Sequence, residues 1–201
     1  MNTWDQRFSQ PGYKYGTDPN RFLVEQESRL PAGSRVLLPG DGEGRNSVWL
    51  ASRGHQVLAV DNSQVGLDKA VSLASARGVT ITTLNVDLAQ WTPPAATCSG
   101  VVLIYVHLPA GIRRAAHRRL AQSLAPGGWL ILESFHPRQM AYQSGGPRDP
   151  DMLGDLASVR EDFAPLLEEV LGWEGEIILD EGEGHRGPAF VTRYVGRMRT
   201  A

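Results

Sequence analysis

The feature that most constrains this chain is an alternation of short apolar runs with stretches of helical spacing. Arg35-Val36-Leu37-Leu38-Pro39 reads as a short buried strand, and Gly40-Asp41-Gly42-Glu43-Gly44 follows it as a glycine loop. A helix is predicted from about Arg45 to Arg53, with Gly54 as its stop. Gln56 to Val60 is a strand ending at Asp61. Ser63 then caps a helix running to about Arg77, closed by Gly78. Val79 to Leu84 is a third strand, Gly100 to Val106 the most apolar one, and Trp129 to Phe135 a fifth. A helix over about Ala110 to Leu124 separates the last two. Apolar strands alternating with helices specify a parallel sheet covered by helices on both faces, an α/β architecture.

The ends of the chain break this rhythm. Residues 1–18 show no clear period. Asp18-Pro19 marks a helix start, with Asp as N-cap and Pro at the first helical position, and that helix should run to about Arg29. A helical stretch is expected over about Met152 to Leu171. Two strands follow, Trp173 to Leu179 and Ala189 to Arg197, joined by a turn over 181–188. Strands so close in sequence pair as an antiparallel hairpin. One domain spanning residues 1–201 is expected.

Composition excludes several classes. A net charge of −2 on 201 residues argues against a dedicated binder of nucleic acid or of a membrane surface. The single cysteine, Cys98, allows neither an internal disulfide nor a thiolate metal cluster. Val101 to Val106 is too short to span a bilayer, and the segment from Met1 to Asp5 has no signal-peptide core. A cytoplasmic chain with no membrane partner is the expectation. Arg113, Arg114, His117, Arg118 and Arg119 make a basic helix surface, read as a solvated face offset by acidic segments.

A glycine loop between strand and helix lets backbone approach a ligand, and a helix N-terminus favours negative charge there. Asp61, 21 residues after Gly40, lies where a carboxylate can accept from both hydroxyls of a ribose; the alternative is a helix-cap role. Asp87, just past the third strand, can accept from an adenine amino group or serve a turn. Arg45 stands where the dinucleotide fingerprint requires glycine, and no Walker-type loop is present.

These blocks resemble the class I S-adenosylmethionine-dependent methyltransferases. The run from Val36 to Gly44 resembles the family's first motif, Ala59-Val60-Asp61-Asn62-Ser63 its second and Asn85-Val86-Asp87-Leu88 its third. The run from Leu124 to Glu133 resembles its turn into the fifth strand. Trp4-Asp5-x-x-Phe8, Tyr15-Gly16-Thr17, Gly44-Arg45-Asn46-Ser47 and Gly182-Glu183-Gly184-His185-Arg186 are most similar to the small bacterial tellurite-resistance and thiopurine methyltransferase group. The resemblance implies a Rossmann-like doubly wound sheet of seven strands in the order 3-2-1-4-5-7-6, the seventh antiparallel. It implies S-adenosylmethionine as cofactor, S-adenosylhomocysteine as product, and cofactor contacts from Trp4, Tyr15, Gly40, Asp41, Gly42, Arg45, Asp61, Asn62, Asp87, Leu88 and Val106. Its acceptors are small and soft: thiols, or selenium or tellurium oxyanions. Two departures stand out: Leu38 replaces a frequent acid, and Asp41 a frequent cysteine.

Ligands of open α/β sheets bind beyond the carboxyl ends of the strands. His107, His136 and His185 fall at that edge, as a base or hydrogen-bond site for the acceptor, as a three-histidine metal site without supporting spacing, or as loop residues. The base reading, with no metal, is preferred, and the resemblance implies catalytic roles for His185 and Arg186. Arg186 would hold an acceptor oxyanion by a two-pronged bond. His55 and His117 look structural or solvated. The N-terminal arm and helix (residues 1–30), with Trp4 and Tyr15, and the loop 143–147 are expected to form a lid; packing of a terminal arm is the alternative reading. A monomer or homodimer is expected. Rival readings are a catalytically silent adenosyl-ligand binder and an NAD(P)-dependent reductase, the latter opposed by Arg45.

Overall fold

The computed structural model describes residues 2–200; Met1 and Ala201 lie outside the described residues. Seven strands form one sheet in the order β3-β2-β1-β4-β5-β7-β6. They are β1 (Arg35–Pro39), β2 (Gln56–Asp61), β3 (Thr82–Asn85), β4 (Cys98–Ile104), β5 (Leu124–Phe135), β6 (Leu167–Asp180) and β7 (Arg186–Met198). The first five run parallel, and β7 pairs antiparallel with both β5 and β6. This is the order and orientation that the resemblance implied.

Strand alternation divides the core. Leu37, Val101, Leu103, Leu130 and Leu132 face α5 (Ala110–Gln122) and α6 (Leu156–Phe163). Val36, Leu38, Val102, Ile104 and Ile131 face α2 (Arg21–Gln26) and α3 (Arg45–Ser52). The acid-replacing Leu38 is thus a core residue, 2% exposed. α4 (Gln64–Ala76) packs beside α3, with Ser63 as its N-cap accepting from the Gly66 N–H.

Five expectations need correction, the first being that β5 starts at Leu124, five residues ahead of Trp129. Residues 3–8 form a helix, α1, opened by a reciprocal cap between Asn2 and Asp5. The cap of α2 is Asn20, whose side chain accepts from the Leu23 N–H; Asp18-Pro19 lies ahead of it. β3 starts at Thr82, three residues later than expected. The long helix predicted to reach Leu171 stops at Phe163, and residues 167–180 form an edge strand paired with β7 along its length. The Leu and Glu residues there favour helix intrinsically, and the ladder with β7 overrides that preference.

Candidate active site

The carboxyl ends of the parallel strands open onto one cleft of about 590 Å³. The glycine loop forms one wall. Gly40 and Gly42 have φ of +64° and +62°, and the N–H of Gly40 donates to the Val60 carbonyl at 2.7 Å. A Cβ on Gly40 would stand 3.0 Å from Val106, and one on Gly44 only 2.6 Å from the Ala70 backbone. The loop therefore presents bare backbone to the cleft and lies flat against α4.

Two acids frame the loop. Asp61 accepts from the Gly42 N–H at 2.9 Å and the Ser63 N–H at 2.8 Å. Burial pushes its carboxyl upward against those bonds. A carboxylate has about four lone-pair sites, so Asp61 retains acceptor capacity toward the cleft. Asp41 accepts from the Ser47 hydroxyl and N–H, tying the loop to the first turn of α3. Burial, with the neighbouring Asp61 charge adding to it, pushes the Asp41 carboxyl up to about 7.

The N-terminal arm covers the opposite side. Asn2 donates to the Asn62 carbonyl at 2.6 Å and Ser63 Oγ to Asp5 at 2.7 Å, seating α1 over the β2–α4 turn. Trp4, Phe8 and Tyr15 line the cleft, joined by Gly146 and Pro147 from the loop after β5. Tyr15 packs 4.4 Å from the His185 ring.

Of the fourteen residues that sequence reasoning assigned to the site, thirteen line this cleft: Trp4, Tyr15, Gly40, Asp41, Gly42, Arg45, Asp61, Asn62, Asp87, Leu88, Val106, His107 and His185. Arg186 lies outside it. Its side chain is 79% exposed and reaches only the equally exposed Asp180, at 4.0 Å, because β7 begins there and alternation turns it outward. His136 also lies elsewhere, as the cap of a short 3-10 turn facing Glu174 at 3.5 Å. The three-histidine convergence is therefore not formed. No cluster of three or more His, Cys, Asp or Glu suited to a metal occurs among the described residues. His117 is buried against Phe163 and bonded to Asp162, a structural role.

His107 and His185 differ in how they are held. His107 Nδ1 pairs with the Met152 carbonyl at 3.3 Å, and burial holds the imidazole down at about 4. Burial also lowers His185, while the Glu181 carboxylate opposes that shift. Both imidazoles are neutral at pH 7 and can take up a proton.

The residues missed from sequence form a buried network beside these histidines. Glu133 accepts from Asn20 Nδ2 and Tyr105 OH, each at 2.7 Å, and from Arg193 Nε at 2.5 Å. Asn20 also donates to Glu181, and Arg45 joins Glu181 at 2.8 Å. Tyr105 sits at φ +54°, unusual for a bulky residue, directly after β4. Its ring stacks on Phe135 at 4.6 Å and meets His185 edge-on at 4.5 Å. No sequence signal marks Tyr105 or Glu133, whereas Asn20 is a good N-cap residue in its own right.

Sheet order, glycine cradle and the acid ending β2 define the fold of the class I S-adenosylmethionine-dependent methyltransferases, and the bare loop backbone with Asp61 suits that cofactor. Residues 36–128 match the family described as methyltransferase domain. A tRNA 5-carboxymethoxyuridine methyltransferase of Escherichia coli (strain K12) is 33% identical over 122 residues, 59% of this chain and 46% of that protein. The chain thus spans about half the length of that relative. A thiopurine S-methyltransferase of Bordetella petrii is 46% identical over 41 residues, 20% of this chain and 19% of that one. Among solved structures, the N-methyltransferase NodS from Bradyrhizobium japonicum WM9, in complex with S-adenosylhomocysteine, superposes with a TM-score of 0.70. Its identity is 17%, over 99% of this chain and 100% of that one. No helix among the described residues is long and apolar enough to cross a membrane.

Proposed function

We propose that this chain transfers the methyl group of S-adenosylmethionine to a small thiol. The observation that carries the acceptor is the pair of neutral imidazoles, His107 and His185, lining an aromatic-walled cleft shared with the glycine cradle. A thiol must lose a proton to become the nucleophile, and a neutral imidazole can take it. A selenium or tellurium oxyanion needs no base, and Arg186, its expected anchor, stands outside the cleft.

Asp61 would accept from the ribose hydroxyls, Asp87 would accept from the adenine amino group, and Leu88 and Val106 would border the adenine. The Gly40–Gly44 loop and Arg45 border the methionine portion. Bound there, the cofactor supplies a methyl group made electrophilic by its sulfonium. Trp4 and Tyr15 exclude water and offer π-faces to positive charge. His185 receives the thiol proton as the acceptor sulfur bonds to the methyl carbon. Transfer of the methyl group to the acceptor sulfur would leave the electron pair of the broken carbon–sulfur bond on the donor sulfur, giving S-adenosylhomocysteine as product. Orientation of acceptor and cofactor by the cleft residues would supply most of the acceleration.

The thiopurine S-methyltransferase relative supports a sulfur acceptor, and the tRNA methyltransferase relative is the reason to test others. The test is S-adenosylhomocysteine release from purified protein with thiols, selenite, tellurite, amines, carboxylates and unmodified or carboxymethoxyuridine-containing tRNA. Turnover confined to thiols is expected. Turnover only with tRNA or an oxyanion overturns the acceptor, and cofactor binding without turnover on any substrate favours a silent binding protein.

A further inference from the structure

Glu181 opens the five-residue turn between β6 and β7 and directs its carboxylate inward. Oε1 accepts from Asn20 Nδ2 at 2.9 Å, and Oε2 from Arg45 Nη2 at 2.8 Å. The same Oε2 faces His185 Nδ1 at 3.7 Å. The turn is closed on itself, since the Glu181 N–H donates to the His185 carbonyl at 2.9 Å. His185 Nδ1 is sealed from solvent and has no hydrogen-bond partner. The imidazole lines the cleft. A neutral imidazole carries one N–H, and a carboxylate in front of Nδ1 stabilises the form with the hydrogen there.

We propose that Glu181 is a positioning residue: anchored by Arg45 and Asn20, its carboxylate sets His185 in the Nδ1–H form, so that Nε2 presents its lone pair to the acceptor. The proposal rests on the reading of His185 as the acceptor-side base. Arg45 is the first residue of α3, directly after the glycine loop, so one ion pair joins the cofactor loop to the base. The groups facing His185 are Glu181 from its own turn, Arg45 from α3, Lys14 and Tyr15 from the N-terminal arm, Tyr105 after β4, and His107. Glu181 is the one carboxylate among them, so it sets the sign of any stabilisation of the imidazolium formed during turnover.

The test needs no acceptor. Histidine labelled with ¹⁵N in the ring reports tautomer and titration midpoint by long-range ¹H–¹⁵N correlation. The His185 signals are assigned by their loss in His185→Asn. Spectra are taken on the free chain and with S-adenosylhomocysteine. In the wild type at neutral pH, His185 is expected protonated on Nδ1. In Glu181→Gln, which keeps the shape and an acceptor oxygen, the midpoint is expected to fall by about one to three pH units. An Nε2–H tautomer in the wild type, or an unchanged midpoint in folded Glu181→Gln, overturns the proposal. Should Glu181→Gln not fold, the wild-type tautomer decides alone. Failure of S-adenosylhomocysteine to bind would count against the methyl-transfer reading, while the free-chain spectra would still decide the role of Glu181.

Discussion

Arg45 and Glu181, 136 positions apart in sequence, form a 2.8 Å ion pair whose side chains are 8% and 11% exposed. The pair ties the helix after the glycine loop to the hairpin turn carrying His185. Burial pushes the Glu181 carboxyl up, but the His185 imidazole facing it and the Arg45 guanidinium outweigh that and hold the group at about 2. A depressed carboxyl stabilises the fold fully above its ordinary value and loses that contribution as pH falls toward 2. Wild-type stability should therefore decline from about pH 5 downward, and Glu181→Gln should lose less over the same window. Arg45→Met strands a buried carboxylate and should cost about 3–5 kcal/mol. The double variant Arg45→Met/Glu181→Gln should recover part of that loss. Urea unfolding across pH checks both statements, and additive losses would show that the pair is not coupled.

Asp61→Ala should remove the ribose anchor and two backbone bonds of the loop together. Hydrogen bonds to a charged group are worth about 1.5–3 kcal/mol each, so loss of two ribose contacts corresponds to at least a hundredfold weaker S-adenosylhomocysteine binding. Isothermal titration measures it. Near-wild-type affinity would move the ribose elsewhere in the cleft.

How legible this was in the sequence follows from which forces are local. The strands, the Ser63 cap and the glycine loop rest on short-range patterns, and the cleft-lining positions of Gly40, Asp61 and Asp87 follow from strand ends. The 167–180 strand was not legible, because its pairing with β7 is non-local and its composition favours helix. Arg186 was misplaced for a related reason: the resemblance fixed the neighbourhood of the hairpin turn, but alternation along β7 turns Arg186, its first residue, outward, while His185 in the turn before it lines the cleft. Glu133, Tyr105 and Glu181 meet only after three distant segments come together, so nothing adjacent to them in the chain announces the network.

His107 should leave a signature in pH-dependent stability. Burial holds its folded value at about 4, against about 6.5 for an unfolded histidine. Between those values the unfolded chain binds the extra proton, so the contribution of His107 is complete above pH 6.5 and is lost as pH falls through about 4. Melting temperature followed from pH 7.5 to 4 should fall more steeply in the wild type than in His107→Gln. Parallel curves would mean that the imidazole is not held neutral by burial. With an identified acceptor, the same neutrality predicts that activity does not fall between pH 8 and 7 through protonation of His107.

Gly182→Ala tests whether the N-terminal arm is part of the site. Gly182 has a φ of +75°, and an added Cβ would stand 2.4 Å from the Gly16 nitrogen and 2.6 Å from the Tyr15 carbonyl carbon. Both are backbone atoms, so no side-chain rotation relieves the overlap. The arm must lift from the turn, carrying Tyr15 away from His185 and breaking the 3.0 Å bond from the Gly184 N–H to the Lys14 carbonyl. Overpacking of this kind costs about 1–3 kcal/mol. The sheet core lies away from the arm, so global unfolding should change less than cofactor retention. Expected outcomes are several-fold weaker S-adenosylhomocysteine binding and faster tryptic cleavage after the exposed Lys14. Faster cleavage with unchanged affinity would make the arm a packed terminus with no part in holding the cofactor, because its release would then leave the cradle of Gly40, Gly42 and Asp61 sufficient by itself.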